Sequence, residues 1–102
     1  MPRAVVYGSA CPACTQAAHI LDRFGIEHER RPIGEAAAVF GRVRSMPRIA
    51  IDGLPVGGID DLLRLTRSGQ IERIAAGEPY VAPPRRGLGD RLAALGRSRG
   101  RA

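Results

Sequence analysis

The chain has no lysine and no tryptophan, and only two phenylalanines, two tyrosines and two cysteines in 102 residues. With so few aromatic rings its core must be aliphatic. The cysteine count excludes a structural disulfide framework, because small secreted domains short of core carry about two to four bridges. A reducing compartment is therefore expected. No stretch approaches the roughly 18 apolar residues of a membrane span. Met1-Pro2-Arg3 leads straight into an apolar run with no longer leader segment, so a cytoplasmic protein without a signal peptide is expected. No second cysteine pair and no internal repeat occur. His19 and His28 do not have the spacing to close a zinc site with the thiols, so no metal is expected and both are read as surface residues. Because lysine is absent, all 16 basic residues are arginine. The resulting net charge of +6 is read as coding bias rather than as recognition of anions.

The length suits a single domain, and 44% hydrophobic residues suffice for one modest core. Composition changes near residue 82. Pro83-Pro84-Arg85-Arg86-Gly87 forms a break, and the rest is rich in Arg, Gly and Ser. The expected organisation is a globular domain over 1–81 and a basic tail over 82–102, flexible or docked. Within the tail, Asp90 to Leu95 has the pattern for a turn or two of helix, with Leu88, Leu92 and Leu95 on one side, too short to persist alone in water. The tail carries Arg85, Arg86, Arg91, Arg97, Arg99 and Arg101 but no interleaved aromatic residue to stack on bases. It is read as a solubilising or partner-docking segment; nucleic acid is not the expected partner, although an Arg-rich tail can contact phosphates and leaves that reading open.

Periodicity gives the elements in order. A strand is predicted over Arg3 to Tyr7 and a helix from Pro12 to Phe24, where Ala17, Ala18, Ile20, Leu21 and Phe24 recur at helical spacing until Gly25 ends it. Part of Ile26 to Ile33 is predicted as a second strand, parallel to the first in a βαβ unit. A second helix is predicted over Glu35 to Val43. Arg48 to Ile51 and Leu54 to Val56 flank Asp52-Gly53, a dipeptide suited to a tight hairpin, so those strands must pair antiparallel. Pro55 cannot donate to a ladder and places its strand at the sheet edge. Asp60 to Ser68 is predicted as a third helix with Leu62, Leu63 and Leu65 buried, and Ile71 to Ala76 as a short fourth.

The chemistry is concentrated where the first strand gives way to the first helix, at Cys11-Pro12-Ala13-Cys14. A helix N-terminus carries about half a positive charge and unpaired N–H donors, which favour the first thiol as thiolate. The second thiol, one turn deeper, can resolve a mixed disulfide formed at the first. Two further segments stand out. In Ser45-Met46-Pro47-Arg48-Ile49 a proline opens a strand. In Gly57-Gly58-Ile59-Asp60-Asp61-Leu62 two glycines bring a helix N-terminus, with the free N–H groups of Ile59 and Asp60, toward an anion. Asp60 and Asp61 also suit a simple helix cap.

The order β-α-β-α-β-β-α, together with these three segments, resembles a glutaredoxin of the thioredoxin fold over roughly Arg3 to Ala76. Cys11-Pro12-Ala13-Cys14 is similar to the family's Cys-Pro-aromatic-Cys, Ser45 to Ile49 to its Thr-Val-Pro segment, and Gly57 to Leu62 to its Gly-Gly-x-Asp-Asp-Leu element. The resemblance implies an α/β fold with a four-stranded mixed sheet flanked by helices. It implies Cys11 as catalytic nucleophile, Cys14 as resolving thiol and a cis Met46-Pro47 peptide, in which the Met46 backbone pairs with substrate. It also implies a glutathione site of Pro12, Ala13, Met46, Pro47, Gly58, Ile59, Asp60 and Asp61, in which Asp61 accepts from the γ-glutamyl ammonium.

Glutathione is then a co-substrate and no tightly bound cofactor is expected. The implied partners are glutathione and disulfide-containing or glutathionylated proteins, the protein acting as a monomer with no membrane association. Gly8 and Ala13 depart from the family's lysine and aromatic, which removes a cation and an apolar wall; Arg42, Arg44 or Arg48 could supply charge instead. Two alternatives stay open: a redoxin recharged by thioredoxin reductase that serves ribonucleotide reductase, and a module binding a glutathione-ligated [2Fe-2S] cluster.

Overall fold

A computed structural model describes residues 2–9, 11–43 and 45–82. The expected tail lies outside them apart from Ala82, as do its Leu88, Leu92 and Leu95, and so does Arg44.

The element order is β1 (Ala4–Tyr7), α1 (Pro12–Arg23), β2 (His28–Arg31), a 3-10 turn (Ile33–Ala36) running into α2 (Ala37–Phe40), β3 (Arg48–Ile51), β4 (Leu54–Gly57), α3 (Ile59–Ser68) and α4 (Gln70–Ala75). The strands form one four-stranded sheet in the order β2-β1-β3-β4. β1 pairs parallel with β2 and antiparallel with β3, and β3 pairs antiparallel with β4. This is the mixed sheet flanked by helices that the sequence predicts.

Turn chemistry fixes the register. Asp52 (φ 55°) and Gly53 (φ 77°) both take the left-handed conformation that a two-residue hairpin between β3 and β4 demands. Pro55 sits on β4 at the free edge, where the missing N–H costs no ladder bond. At the end of α1, Gly25 N–H donates to Asp22 O and Ile26 N–H to Leu21 O, which turns the chain back toward β2.

Side-chain alternation divides the core. Ala4, Val6, Ile49 and Ile51 face Leu21 of α1, Leu62 and Leu65 of α3, and Ile71 and Ile74 of α4. Tyr7 and Ala50 face the other way, toward Ala36, Ile33 and Phe40. The Tyr7 and Phe40 rings meet edge to face at 6.4 Å, an arrangement aromatic pairs favour.

Three expectations need correction. The second helix is shorter than Glu35 to Val43, its α-helical part covering only Ala37–Phe40. It enters through the 3-10 turn, where Ile33 packs on the Tyr7 face, and stops at Gly41 (φ 72°). Leu63 is half-buried rather than core. His28 is not a surface side chain: only 15% of it is exposed, and Nε2 lies 2.7 Å from Asp22 Oδ1, tying the end of α1 to β2.

The termini of the described fold are clasped together. Arg3 donates from Nε to Asp52 Oδ1 (2.9 Å) and from Nη2 to Asp52 Oδ2 (2.7 Å), and also to the carbonyls of Ile74 and Glu78. Asp52 Oδ2 accepts from Tyr80 N–H (3.1 Å), and Tyr80 Oη donates to Pro55 O (3.0 Å). The guanidinium holds the Asp52 carboxyl below the ordinary carboxylate range, chiefly by hydrogen bonding, with the Tyr80 amide adding to it. Burial raises the Tyr80 phenol, assisted by the charge of Asp61.

Candidate active site

Cys11 is the N-cap residue of α1, in extended backbone (φ −97°, ψ 155°), with Pro12 following at the first helical position. Proline has no N–H to leave orphaned there, so the sequence starts the helix at this point. The Cys11 Sγ accepts from Cys14 N–H (3.1 Å), and Cys11 O accepts from Thr15 N–H (3.0 Å). The two sulfurs are joined as a disulfide with a Cα–Cα distance of 5.1 Å. The pair is asymmetric: Cys11 is half-buried, whereas Cys14 is 0% exposed. No acidic residue stands in the first turn of α1, so nothing there offsets the N–H donors and dipole that favour a thiolate at Cys11.

The other two segments meet at one cleft. Ser45, Met46, Pro47, Arg48, Gly58, Ile59, Asp60 and Asp61 line an open depression of about 210 Å3. Met46-Pro47 is cis, Pro47 is buried, and Met46 is 42% exposed. Gly57 takes a φ of 127°, and a Cβ there would strike the Asp61 carboxylate, so only glycine permits this approach of strand end to helix start. Asp61 Oδ2 accepts from Gly58 N–H (2.9 Å) and Oδ1 from Arg64 Nη1 (3.2 Å). Both oxygens keep further acceptor capacity. As the first residues of α3, Ile59 and Asp60 have no intrahelical carbonyl for their N–H groups to bond. Arg48 lines the same cleft and donates to Ser45 O and Ser45 Oγ.

Met46, Pro47, Gly58, Ile59, Asp60 and Asp61 are thus brought together at one cleft. Pro12 and Ala13 do not line the cleft and lie with the thiols on α1. The two parts adjoin through Ser9 and Gly8. Ser9 Oγ is 3.6 Å from Met46 Sδ, and a Cβ built on Gly8 would lie 3.6 Å from Met46 Cβ and 2.6 Å from Cys14 Sγ.

This arrangement places a paired thiol at a helix start beside an X-Pro strand entry and a second helix start. A curated glutaredoxin of Pseudomonas aeruginosa is 34% identical over 82 residues, covering 72% of this chain and 96% of its own. The chain belongs to the glutaredoxin family. A probable glutaredoxin of Synechocystis is 35% identical over 72 residues, covering 63% of this chain and 81% of its own. Among solved structures, a glutaredoxin of Brucella melitensis matches with a TM-score of 0.61 at 27% identity, over 79% of this chain and 96% of that one. A buckwheat glutaredoxin in complex with glutathione matches with a TM-score of 0.63 at 20% identity, over 74% and 77%. No protein-family model matches the chain. This glutaredoxin therefore carries the family's thiol-disulfide oxidoreductase chemistry, with Cys11 and Cys14 as its dithiol motif.

Two features of this glutaredoxin escape sequence reading. Gly8 does more than lack a cation, because a side chain there would collide with Cys14. Arg30, on β2, donates from Nη2 to Ser9 O at 2.7 Å and so reaches the loop before Cys11. The alternating charges of His28-Glu29-Arg30-Arg31 mark an exposed strand but not that reach. Among the described residues no helix is long and apolar enough to cross a membrane, and no group of three His, Cys, Asp or Glu side chains could hold a metal.

Proposed function

We propose that this glutaredoxin is a glutathione-dependent reductase of protein disulfides and protein–glutathione mixed disulfides, acting as a cytoplasmic monomer with Cys11 as nucleophile and Cys14 as resolving thiol. The observation that carries the reading is the asymmetry of the pair. Cys11 is accessible at a helix N-cap and its sulfur accepts an N–H bond, while Cys14 is wholly buried behind it. A substrate disulfide can reach the first sulfur but not the second.

The Cys11 thiolate attacks one sulfur of a protein–glutathione disulfide. A Cys11–glutathione disulfide forms, and the protein thiolate leaves and takes a proton from water. A second glutathione thiolate then attacks the glutathione sulfur, releasing oxidised glutathione and restoring the Cys11 thiolate. Alternatively Cys14, once deprotonated, attacks Cys11 Sγ and expels glutathione thiolate, giving the Cys11–Cys14 disulfide. Two glutathione molecules reduce that disulfide to the dithiol and leave as oxidised glutathione.

The cleft supports glutathione as the reductant. The Ile59 and Asp60 amides suit the γ-glutamyl carboxylate, the Asp61 carboxylate suits its ammonium, and the backbone of Met46 suits pairing with the cysteinyl residue. Arg48, in the same cleft, suits the glycyl carboxylate. The test is glutathione-dependent reduction of a small mixed disulfide, coupled to glutathione reductase, with a thioredoxin-reductase assay in parallel. Activity lost in Cys11→Ser and kept in Cys14→Ser is expected. Activity only with thioredoxin reductase would overturn glutathione dependence.

A further inference from the structure

We propose that Arg30 is the cation that poises Cys11, a positioning residue acting through the Ser9 carbonyl. The inference rests on the reading of Cys11 as nucleophile. It starts from Gly8, which has no side chain and, with the thiols joined, leaves 2.6 Å between a built Cβ and Cys14 Sγ. Position 8 carries no charge in this chain, so a cation acting on Cys11 comes from another element.

The sheet supplies one. β2 runs parallel to β1 with Arg30 in register with Val6, whose side chain lies in the core cluster shared with α1. Arg30 therefore projects on the α1 side and Arg31 on the other, where Arg31 is taken up by Glu35 (2.7 Å). The Arg30 guanidinium reaches Ser9 O at 2.7 Å, and that same oxygen accepts the Cys11 N–H at 2.9 Å. One carbonyl oxygen thus joins the cation to the backbone of the nucleophile. A bare carbonyl oxygen at that point would oppose a thiolate on Cys11, and the guanidinium offsets it. Among the described residues Arg30 forms no ion pair, so a carboxylate does not spend its charge, and most of its five N–H donors remain available.

The other charged and titratable groups around this end are accounted for. Tyr7 on β1 packs on Phe40, away from α1. His28 on β2 is held by Asp22 of α1, and Glu29 is exposed on the strand. His19 on α1 is exposed. Arg48 at the start of β3 is engaged by Ser45, and Asp61 of α3 is bound to Gly58 and Arg64, with Asp60 exposed beside it. Arg30 is the one of these that hydrogen-bonds to the Cys11 loop.

The experiment uses the reduced full chain in a Cys14→Ser background, so that only Cys11 alkylates. Its reaction with iodoacetamide is followed against pH for Arg30, Arg30→Gln and Arg30→Lys. One charge at this remove, in a largely aqueous dielectric, should move the inflection by about half a pH unit. Arg30→Gln is expected to raise the inflection by that amount and to slow alkylation below it roughly threefold, with the high-pH plateau unchanged. Arg30→Lys should recover part of the shift, and 1 M salt should narrow the difference, since about 3 Å is then the screening length. An unmoved inflection in Arg30→Gln overturns the proposal. A shift in Arg30→Lys as large as in Arg30→Gln does so too, and so does a lowered plateau at constant inflection, which would mark a mere brace of the loop. The parent reading fails separately, by activity surviving in Cys11→Ser.

Discussion

Gly8→Ala tests the redox end of the molecule most sharply. The added Cβ would stand 2.6 Å from Cys14 Sγ, 3.6 Å from Met46 Cβ and 3.7 Å from Cys14 Cβ. Non-bonded heavy atoms rest at about 3.5–4.0 Å, so the sulfur would have to give way by about 1 Å. In the oxidised protein it cannot do so freely, because it is bonded to Cys11 and fully buried. Overpacking of this kind costs about 1–3 kcal/mol. In the dithiol form the Cys14 side chain can rotate, and part of the cost disappears. The oxidised form should therefore lose more stability than the reduced form, and the disulfide should become easier to reduce. For a two-electron couple about 1.4 kcal/mol corresponds to 30 mV, so a differential that is part of about 1–3 kcal/mol raises the reduction potential by at most roughly 20–60 mV. Guanidinium unfolding of both redox forms gives the first quantity, and equilibration in a glutathione redox buffer gives the second. Equal losses in both forms, or an unchanged potential, would refute the steric argument.

Asp52→Asn keeps a residue that tolerates the left-handed backbone but removes the charge that Arg3 grips. It should cost about 1 kcal/mol at neutral pH, measured by denaturant titration. Because the folded carboxyl is depressed, its stabilisation is present above the unfolded value of about 3.9 and is lost as pH falls through the lower folded value. The acid limb of the stability profile should therefore be shallower in the variant, and an unchanged limb would speak against the clasp. Leu21→Ala, at a 0% exposed site between α1 and the sheet, should cost about 2–5 kcal/mol. A loss under 1 kcal/mol would mean the helix does not pack as described. Asp61→Asn weakens the link back to Gly58, costing about 0.5–1 kcal/mol in thermal unfolding. If the cleft takes the γ-glutamyl end, the variant should also raise KM for glutathione more than it lowers kcat, and an unaltered KM would remove Asp61 from that role.

What was legible in the sequence was local. Asp52-Gly53 announces its hairpin because both residues must adopt positive φ, and Pro55 announces an edge because it cannot donate. Cys11-Pro12 marks a helix start because proline belongs at the first helical position. The grouping of Met46-Pro47 with Gly58 to Asp61 followed from resemblance, since nothing in either segment names the other. The misses are contacts between distant parts of the chain. Arg3 meets Asp52 across 49 positions, and Arg30 meets Ser9 across 21. Periodicity says which face a side chain leaves from and nothing about where a long arginine comes to rest. His28 belongs to the same class, since it looks like a solvated residue until α1 folds over it and supplies Asp22. The second helix departs from Glu35 to Val43 because an alanine-rich stretch favours helix broadly, whereas Ile33 docking under Tyr7 and the reversal at Gly41 decide where turns begin and end.

The two rims of the sheet also bear on how this protein fares at high concentration. An unpaired strand edge is a template on which another chain can polymerise. Here each rim discourages that by different chemistry. At one side, Glu29, Arg30 and Arg31 stand exposed on the outermost strand, so an incoming chain would have to strip water from charged groups. At the other, Pro55 offers no donor and its carbonyl is already taken by the Tyr80 hydroxyl. Removing that hydroxyl would free an acceptor on this rim, so the tyrosine that bonds Asp52 through its amide also covers a strand edge through its phenol.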